Sequence, residues 1–261
     1  MNKINKNMGY CSICGKYGEL SFEHIPPKNA LNNAVAKVYS GTELVKKVRG
    51  QEAKYSIQQK GMGKYSLCEE CNNNTGTWYA PTYNLIAKAT AWELKQHEPL
   101  IHGDIFAFKT RSFHALAFVK QVIAMFCSTI PFEEVTRLNF NNFLLKKEET
   151  NVAKDLFDLR IFLTNIETGS YMTGICFPIC LDKKSNEITS YYVAELGTYP
   201  FGFILNLDPS NPIEYGASLM PLLDAEYGVE YELEWKLQYL EKASIKMPLP
   251  MQFKPLPQTE D

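Results

Sequence analysis

Cys11-Ser12-Ile13-Cys14 and Cys68-Glu69-Glu70-Cys71 bracket the first third of a 261-residue chain, with 53 residues between them. Within that interval stands Glu23-His24-Ile25-Pro26-Pro27, and Asn72-Asn73-Asn74 follows the second pair directly. Zinc prefers a tetrahedron of soft ligands, and each Cys-x-x-Cys turn presents two sulfurs at bite distance. One such turn means little. Two of them predict a single site in which Cys11, Cys14, Cys68 and Cys71 hold a structural zinc ion. A redox switch is the other chemistry open to paired cysteines, and a closed metal site suits this arrangement better. Cys127, Cys176 and Cys180 stand in apolar surroundings and read as core residues.

Gly15 and Gly18 follow the first pair, so it reads as a tight zinc knuckle. Glu19 to His24 alternates apolar and polar over most of its length, which predicts a short strand. Pro26-Pro27 ends it, because proline cannot continue a ladder. Neighbouring side chains on a strand face opposite ways, so Glu23 and His24 act together only in a curved site. Residues 28–66 are less regular, with weak helical character over Ala30 to Val38 and short strands over Leu44 to Val48 and Lys54 to Ile57. Beyond Cys71, Tyr79, Tyr83, Ile86, Ala87, Thr90 and Leu94 recur at helical spacing. They predict one helix running to about Gln96, with Pro81 in a first turn and one of the three asparagines as its N-cap. Trp78, Tyr79, Tyr83 and Trp92 read as core packing rather than base-stacking groups.

The remainder predicts a strand over Ile105 to Phe108, a buried helix over Phe113 to Ser128 and a less regular helix over Phe132 to Lys147. A meander of hairpins is expected from Leu159 to Leu163, Tyr171 to Leu181, Ile188 to Glu195 and Phe201 to Leu207. Thr168-Gly169, Lys183 to Asn186 and Gly197 separate these strands. Val229 to Leu240 reads as a long half-exposed strand, and the proline-rich tail from Met247 as extended chain. A boundary near residues 98–110 divides the chain into domains 1–98 and 99–261. His97, His102 and His114 lack a carboxylate at motif spacing and read as surface or packed histidines.

Hydrophobic residues make up 45% and charged residues 21%, which fits a globular protein and excludes a disordered chain. No apolar run reaches 18 residues, and the N-terminus has no apolar leader core. The expectation is a cytoplasmic protein without a membrane partner. The net charge of −2 is uneven. Residues 1–75 carry 11 Lys and Arg against 6 Asp and Glu, a balance of +5, and residues 76–261 carry 16 against 23, a balance of −7. A basic first third beside an acidic remainder suits a polyanion-binding module on a non-binding partner domain.

Taken together, Cys11-x-x-Cys14, Glu23-His24-Ile25-Pro26 and Leu67-Cys68-x-x-Cys71-Asn72 resemble the HNH nuclease family, also called ββα-metal or His-Me finger nucleases. The resemblance covers about residues 8–95 and is nearest to the branch with four zinc-binding cysteines. It implies a two-stranded hairpin and a helix around one catalytic cation; with the element pattern above, the expectation is an α+β fold, an N-terminal zinc-stabilised ββα-metal nuclease module followed by a helical segment and a β-rich C-terminal domain. It assigns His24 as the general base and Glu23 and Asn72 as ligands of a catalytic Mg2+ or Mn2+. It implies nucleic acid as partner, DNA rather than RNA. Residues 99–261 would then regulate, target or dimerise, which leaves a homodimer or a regulatory partner open. Three departures stand out. Glu23 occupies a position where the family often has Asp. Gly63 stands five residues before Cys68, where many members carry an Asn that braces the histidine loop, so this loop needs another anchor. Asn72 rather than His closes the motif, with Asn73 and Asn74 near enough to take its place. The competing reading is a non-catalytic zinc-stabilised module that binds nucleic acid or protein. Such a module would keep the cysteines and have no use for Glu23 and His24 together.

Overall fold

The computed structural model describes residues 7–48, 50–110, 112–165, 170–176, 179–181, 188–240 and 252–255. Strands β1 (Met8–Tyr10) and β2 (Tyr17–His24) flank the first cysteine pair. β3 (Ala36–Tyr39), α1 (Gly41–Val48) and β4 (Ser56–Gln58) precede β5 (Gly63–Cys68), which runs straight into α2 (Glu69–Trp78). After α3 (Ala80–Gln96) come β6 (Ile105–Lys109), α4 (Ala115–Cys127), α5 (Phe132–Arg137) and α6 (Phe140–Leu145). The strands β7 (Asp158–Leu163), β8 (Ser170–Met172), β9 (Ile179–Leu181) and β10 (Ile188–Ser190) follow. The last are β11 (Val193–Thr198), β12 (Phe201–Asn206), β13 (Ala217–Ser218), β14 (Glu234–Gln238) and β15 (Gln252–Pro255). The mixture of helix and sheet is of the α+β kind.

β2 is the middle strand of a three-stranded antiparallel sheet, with β1 on one side and β5 on the other. α2 packs across β2 and β5, so these three elements form a ββα unit. The turn at Cys11–Cys14 closes through a Gly15 N–H to Cys11 carbonyl bond of 2.8 Å. Gly15 takes φ +71°, and a Cβ there would lie 2.5 Å from the Phe132 ring. Both facts call for glycine.

Several elements differ from the sequence expectation for identifiable reasons. Leu44 to Val48 is helical, because Ser40 accepts the Glu43 N–H at 3.4 Å as an N-cap and Lys46 pairs with Glu43 at 2.7 Å. Ser40 and Glu43 stand at capping-box spacing, a signal that outweighs the two valines. The weak helical pattern from Ala30 ends instead in β3. The single helix expected up to Gln96 begins earlier, at Glu69, and is broken at Tyr79. Pro81 lacks an N–H and its ring would strike the carbonyl four residues back, so the helix restarts around it. Cys68, not an asparagine, is the N-cap of α2. The helix expected over Phe132 to Lys147 is split by Asn139 in the left-handed region, φ 60°. Of Val229 to Leu240 only Glu234–Gln238 is a strand, and it pairs with β6 rather than with the large sheet.

The large sheet has eight strands in the order β13-β7-β12-β11-β8-β15-β3-β4. β11 and β12 form the expected hairpin. β7 pairs with β12 instead of with β8, so the sheet is not a simple meander. Tyr171 to Leu181 divides into β8 and β9, and Ile188 to Glu195 into β10 and the start of β11. Gln252–Pro255 is extended, as expected of the tail, and pairs with β3 and β8. The rest of the tail and the turns at Thr168-Gly169 and Lys183 to Asn186 lie outside the described residues. Among the described residues no helix is long and apolar enough to cross a membrane.

β3 and β4 come from the N-terminal third but lie in this sheet, so the chain crosses the boundary expected near residue 98. One continuous cluster of buried side chains runs from Cys11 and Ile13 through α3 and α4 to Leu237 and Tyr239. α4 is the centre of that cluster, with all 13 residues buried, as its apolar pattern predicts. Phe118 shows how the two parts are joined. Its ring stacks on Tyr83 of α3 at 5.6 Å and meets Phe201 of β12 edge-on at 6.2 Å and Trp235 of β14 at 5.7 Å. Phe118→Ala should therefore cost about 3–5 kcal/mol. Urea unfolding followed by tryptophan fluorescence and far-UV circular dichroism should keep one shared transition at lower urea. Two transitions, one of them unmoved, would show that 1–98 and 99–261 fold apart.

Candidate metal centre and adjoining cleft

The first Cys-x-x-Cys sits in the turn between β1 and β2, and the second at the junction of β5 and α2. Pairing of β2 with β5 sets Leu20 opposite Cys68 and so draws the two turns together. Ser12 N–H reaches Ser66 carbonyl at 2.8 Å and ties the knuckle to β5. One sulfur from each of Cys11, Cys14, Cys68 and Cys71 lies within 4.8 Å of all the others. The Cys14 and Cys68 sulfurs are 3.8 Å apart. A zinc tetrahedron with bonds of about 2.3 Å has edges of about 3.8 Å, so the spacing fits a metal such as zinc. Electrostatics points the same way. The Cys71 side-chain hydrogen bond lowers the Cys11 thiol, while the same bond and burial push Cys71 well above the ordinary range. Four sulfurs this close do not all ionise unless a cation sits among them.

Of the other cysteines, Cys127 is buried, as expected. Cys176 is only half-buried, and the side chain of Cys180 lies outside the described residues. Tyr79 and Tyr83 are core residues, but Trp92 is 60% exposed.

A cleft of about 190 Å³ opens beside the cluster. Glu23, His24 and Asn72 all line it, together with Lys28, Gly76, Asn84 and Gln121. The two strand neighbours share it because of where they sit. Glu23 is buried, facing α2, and His24 is the last residue of β2, at the rim. Burial pushes the Glu23 carboxyl up to about 8, and no described residue donates a hydrogen bond to it. The group is a hard oxygen donor whose ionised form a nearby cation would favour.

His24 Nε2 lies 3.0 Å from the Lys60 carbonyl oxygen. A carbonyl only accepts, so Nε2 carries the proton and Nδ1 keeps its lone pair. Burial, and then the charges of Lys28 and Lys60, hold the ring below the ordinary histidine range. It is therefore a neutral base near pH 7, with its tautomer set by the backbone.

Asn72 is on the first turn of α2. Its amide nitrogen donates to Ser21 Oγ at 2.9 Å and to Phe22 carbonyl at 3.1 Å. The Phe22 carbonyl fixes which end of the amide is nitrogen, which frees Oδ1 as a hard ligand. Asn73 is exposed, and neither it nor Asn74 lines the cleft. His97 packs edge-on against Phe106 at 4.9 Å, and His114 makes a 3.4 Å contact with Val229 carbonyl.

The missing anchor for the histidine loop is Asn32, which the sequence pattern did not single out. Its Nδ2 donates to the carbonyls of Pro26 at 2.6 Å and Met62 at 2.8 Å, and its Oδ1 accepts the Met62 N–H at 2.6 Å. One buried amide thus staples the chain after His24 to the start of β5. A Cβ on Gly61 would lie 2.1 Å from the Asn32 carbonyl, so the close approach needs glycine. The only sequence signal was negative, the glycine at position 63. Comparison with protein-family profiles, with curated proteins and with solved structures returned no match for this chain.

Asn32→Ala should cost about 2–4 kcal/mol, because three buried backbone groups lose their partner at once. Asn32→Asp should recover only part of that loss, since it restores the Met62 N–H contact but sets an oxygen against two carbonyls. Urea denaturation of the three proteins checks both. A full recovery in Asn32→Asp would refute the staple as described.

Proposed function

We propose that this chain is a zinc-stabilised, metal-dependent endonuclease of the HNH kind that hydrolyses phosphodiester bonds in DNA. The observation that carries the reading is the meeting of Glu23, His24 and Asn72 in one cleft. In it His24 is a neutral base with Nε2 tied to the Lys60 carbonyl. The four cysteines would hold zinc in a closed site, which makes that ion structural. Glu23 and Asn72 would hold Mg2+ or Mn2+ through hard oxygens.

His24 Nδ1 takes a proton from a water whose oxygen attacks phosphorus. The bond from phosphorus to the 3′-oxygen breaks, and that oxygen takes a proton from solvent. The products are a 5′-phosphate and a 3′-hydroxyl. Lewis-acid stabilisation of the charge on the departing 3′-oxygen is what a divalent cation supplies there. Lys28, at the same cleft, favours the approach of an anionic strand. The acidic remainder of the chain would regulate, target or dimerise. DNA as substrate rests on the resemblance and on the basic first third.

The test is cleavage of plasmid, single-stranded and branched DNA, and of RNA, with Mg2+ or Mn2+. Purified protein should hold about one zinc per chain. His24→Ala should lose about 10²- to 10⁴-fold in rate with zinc content and melting temperature unchanged. Equal rates in wild type and His24→Ala would remove His24 as the base. Zinc-loaded protein that cuts nothing would favour a non-catalytic binding module.

A further inference from the structure

The cleft continues beyond the Glu23, His24 and Asn72 end. Asn72, Gly76, Ala80 and Asn84 recur every four residues along α2 and α3, and Gln121 enters from α4. Gln121 is 1% exposed, and its Oε1 has no hydrogen-bond partner. Asn84 Oδ1 is in the same state. Of the six unpartnered buried side-chain atoms among the described residues, these two lie on one wall of one cleft. A buried carbonyl without a donor destabilises the protein, so the pair needs a reason to be there.

The chemistry narrows the ligand. An ionised phosphate brings no donor and cannot satisfy a carbonyl. A bare cation would find no carboxylate at this end, and Lys28 lines the same cleft. What remains, beyond water, is a neutral group carrying N–H donors. Each amide also has an NH2 group, so the two together match a flat edge with donors and acceptors side by side. A Cβ added at Gly76 would meet nothing within 4 Å, so open space lies above it. A volume of about 190 Å³ is roughly six water molecules' share of the liquid, which limits the guest to one small ring system.

We propose that this wall receives one unstacked nucleobase of the strand being cut, held on its edge by Gln121 and Asn84. The inference rests on the nuclease reading and sharpens it. The substrate must offer an unpaired nucleotide beside the cut, as in single-stranded, looped or branched DNA. Because each amide offers a donor end and an acceptor end, any base edge is preferred over a sugar that carries no base.

Binding without cleavage tests it. Full-length zinc-loaded protein, free of other divalent ions, is titrated calorimetrically with dAMP, dCMP, dTMP and abasic deoxyribose 5-phosphate. The expected result is dAMP, dCMP and dTMP each at least tenfold tighter than the abasic sugar. Gln121→Leu should bring all four within about twofold of one another, while melting no lower than wild type, since it removes an unpaired buried group. Gly76→Leu should weaken every nucleotide at least tenfold by filling the space, with the helix intact because leucine is the better helix former. Equal affinity for dAMP and the abasic sugar, or unchanged discrimination in Gln121→Leu, overturns the proposal. Plasmid cleavage with no base discrimination would leave the nuclease reading standing and this one refuted. Base discrimination with no cleavage of any DNA would leave the base-binding wall standing and refute both the nuclease reading and the claim that the bound strand is cut.

Discussion

Four cysteine sulfurs within 4.8 Å of one another would be in electrostatic conflict as thiolates unless a cation sat among them. That conflict constrains the whole N-terminal third. The β1–β2 turn carries two of the ligands, and the β5–α2 junction carries the others. One ion bound there would fix β2 against β5 and set the start of α2 across both. The same junction puts Asn72 one residue after Cys71, where its amide reaches back to Ser21 and Phe22. A metal held by all four sulfurs would be a support, since every tetrahedral position would be filled.

α4 relates that support to the rest of the molecule. Its C-terminal cap, Ser128, accepts a hydrogen bond from Ser66 of β5 at 2.9 Å, and Gln121 two turns earlier forms part of the cleft wall. Phe118, one turn before Gln121, belongs to the aromatic group that holds β12 and β14. Lys120, fully buried, donates to the carbonyls of Phe143 and Lys146 at the end of α6. The region after residue 98 is thus more than an appendage: it supplies one wall of the cleft and packs under the ββα unit.

What could be read from the sequence was whatever short-range spacing dictates. Two Cys-x-x-Cys turns declare a metal site, an apolar stretch such as FHALAFVKQVIAMFCS declares a buried helix, and alternation before Pro26-Pro27 declares a strand. Pro81 was legible as a first-turn proline and does open α3, but helical periodicity masked the separate α2 before it, and valine content masked the cap at Ser40. Asn32 and Gln121 were not legible. Asn32 matters because it meets residues 6 and 30 positions away, and Gln121 because tertiary packing leaves its carbonyl unpaired. Neither property leaves a mark in the neighbouring residues.

The arrangement makes a claim about where two different ions sit, and anomalous diffraction measures it directly. Crystals of zinc-loaded protein grown with Mn2+ would be recorded at the zinc and manganese edges. The account predicts a zinc peak about 2.3 Å from the four cysteine sulfurs and a separate manganese peak on the Glu23 carboxylate and Asn72 Oδ1, beside His24. Manganese bound elsewhere, or no second peak in the cleft at saturating Mn2+, would contradict it.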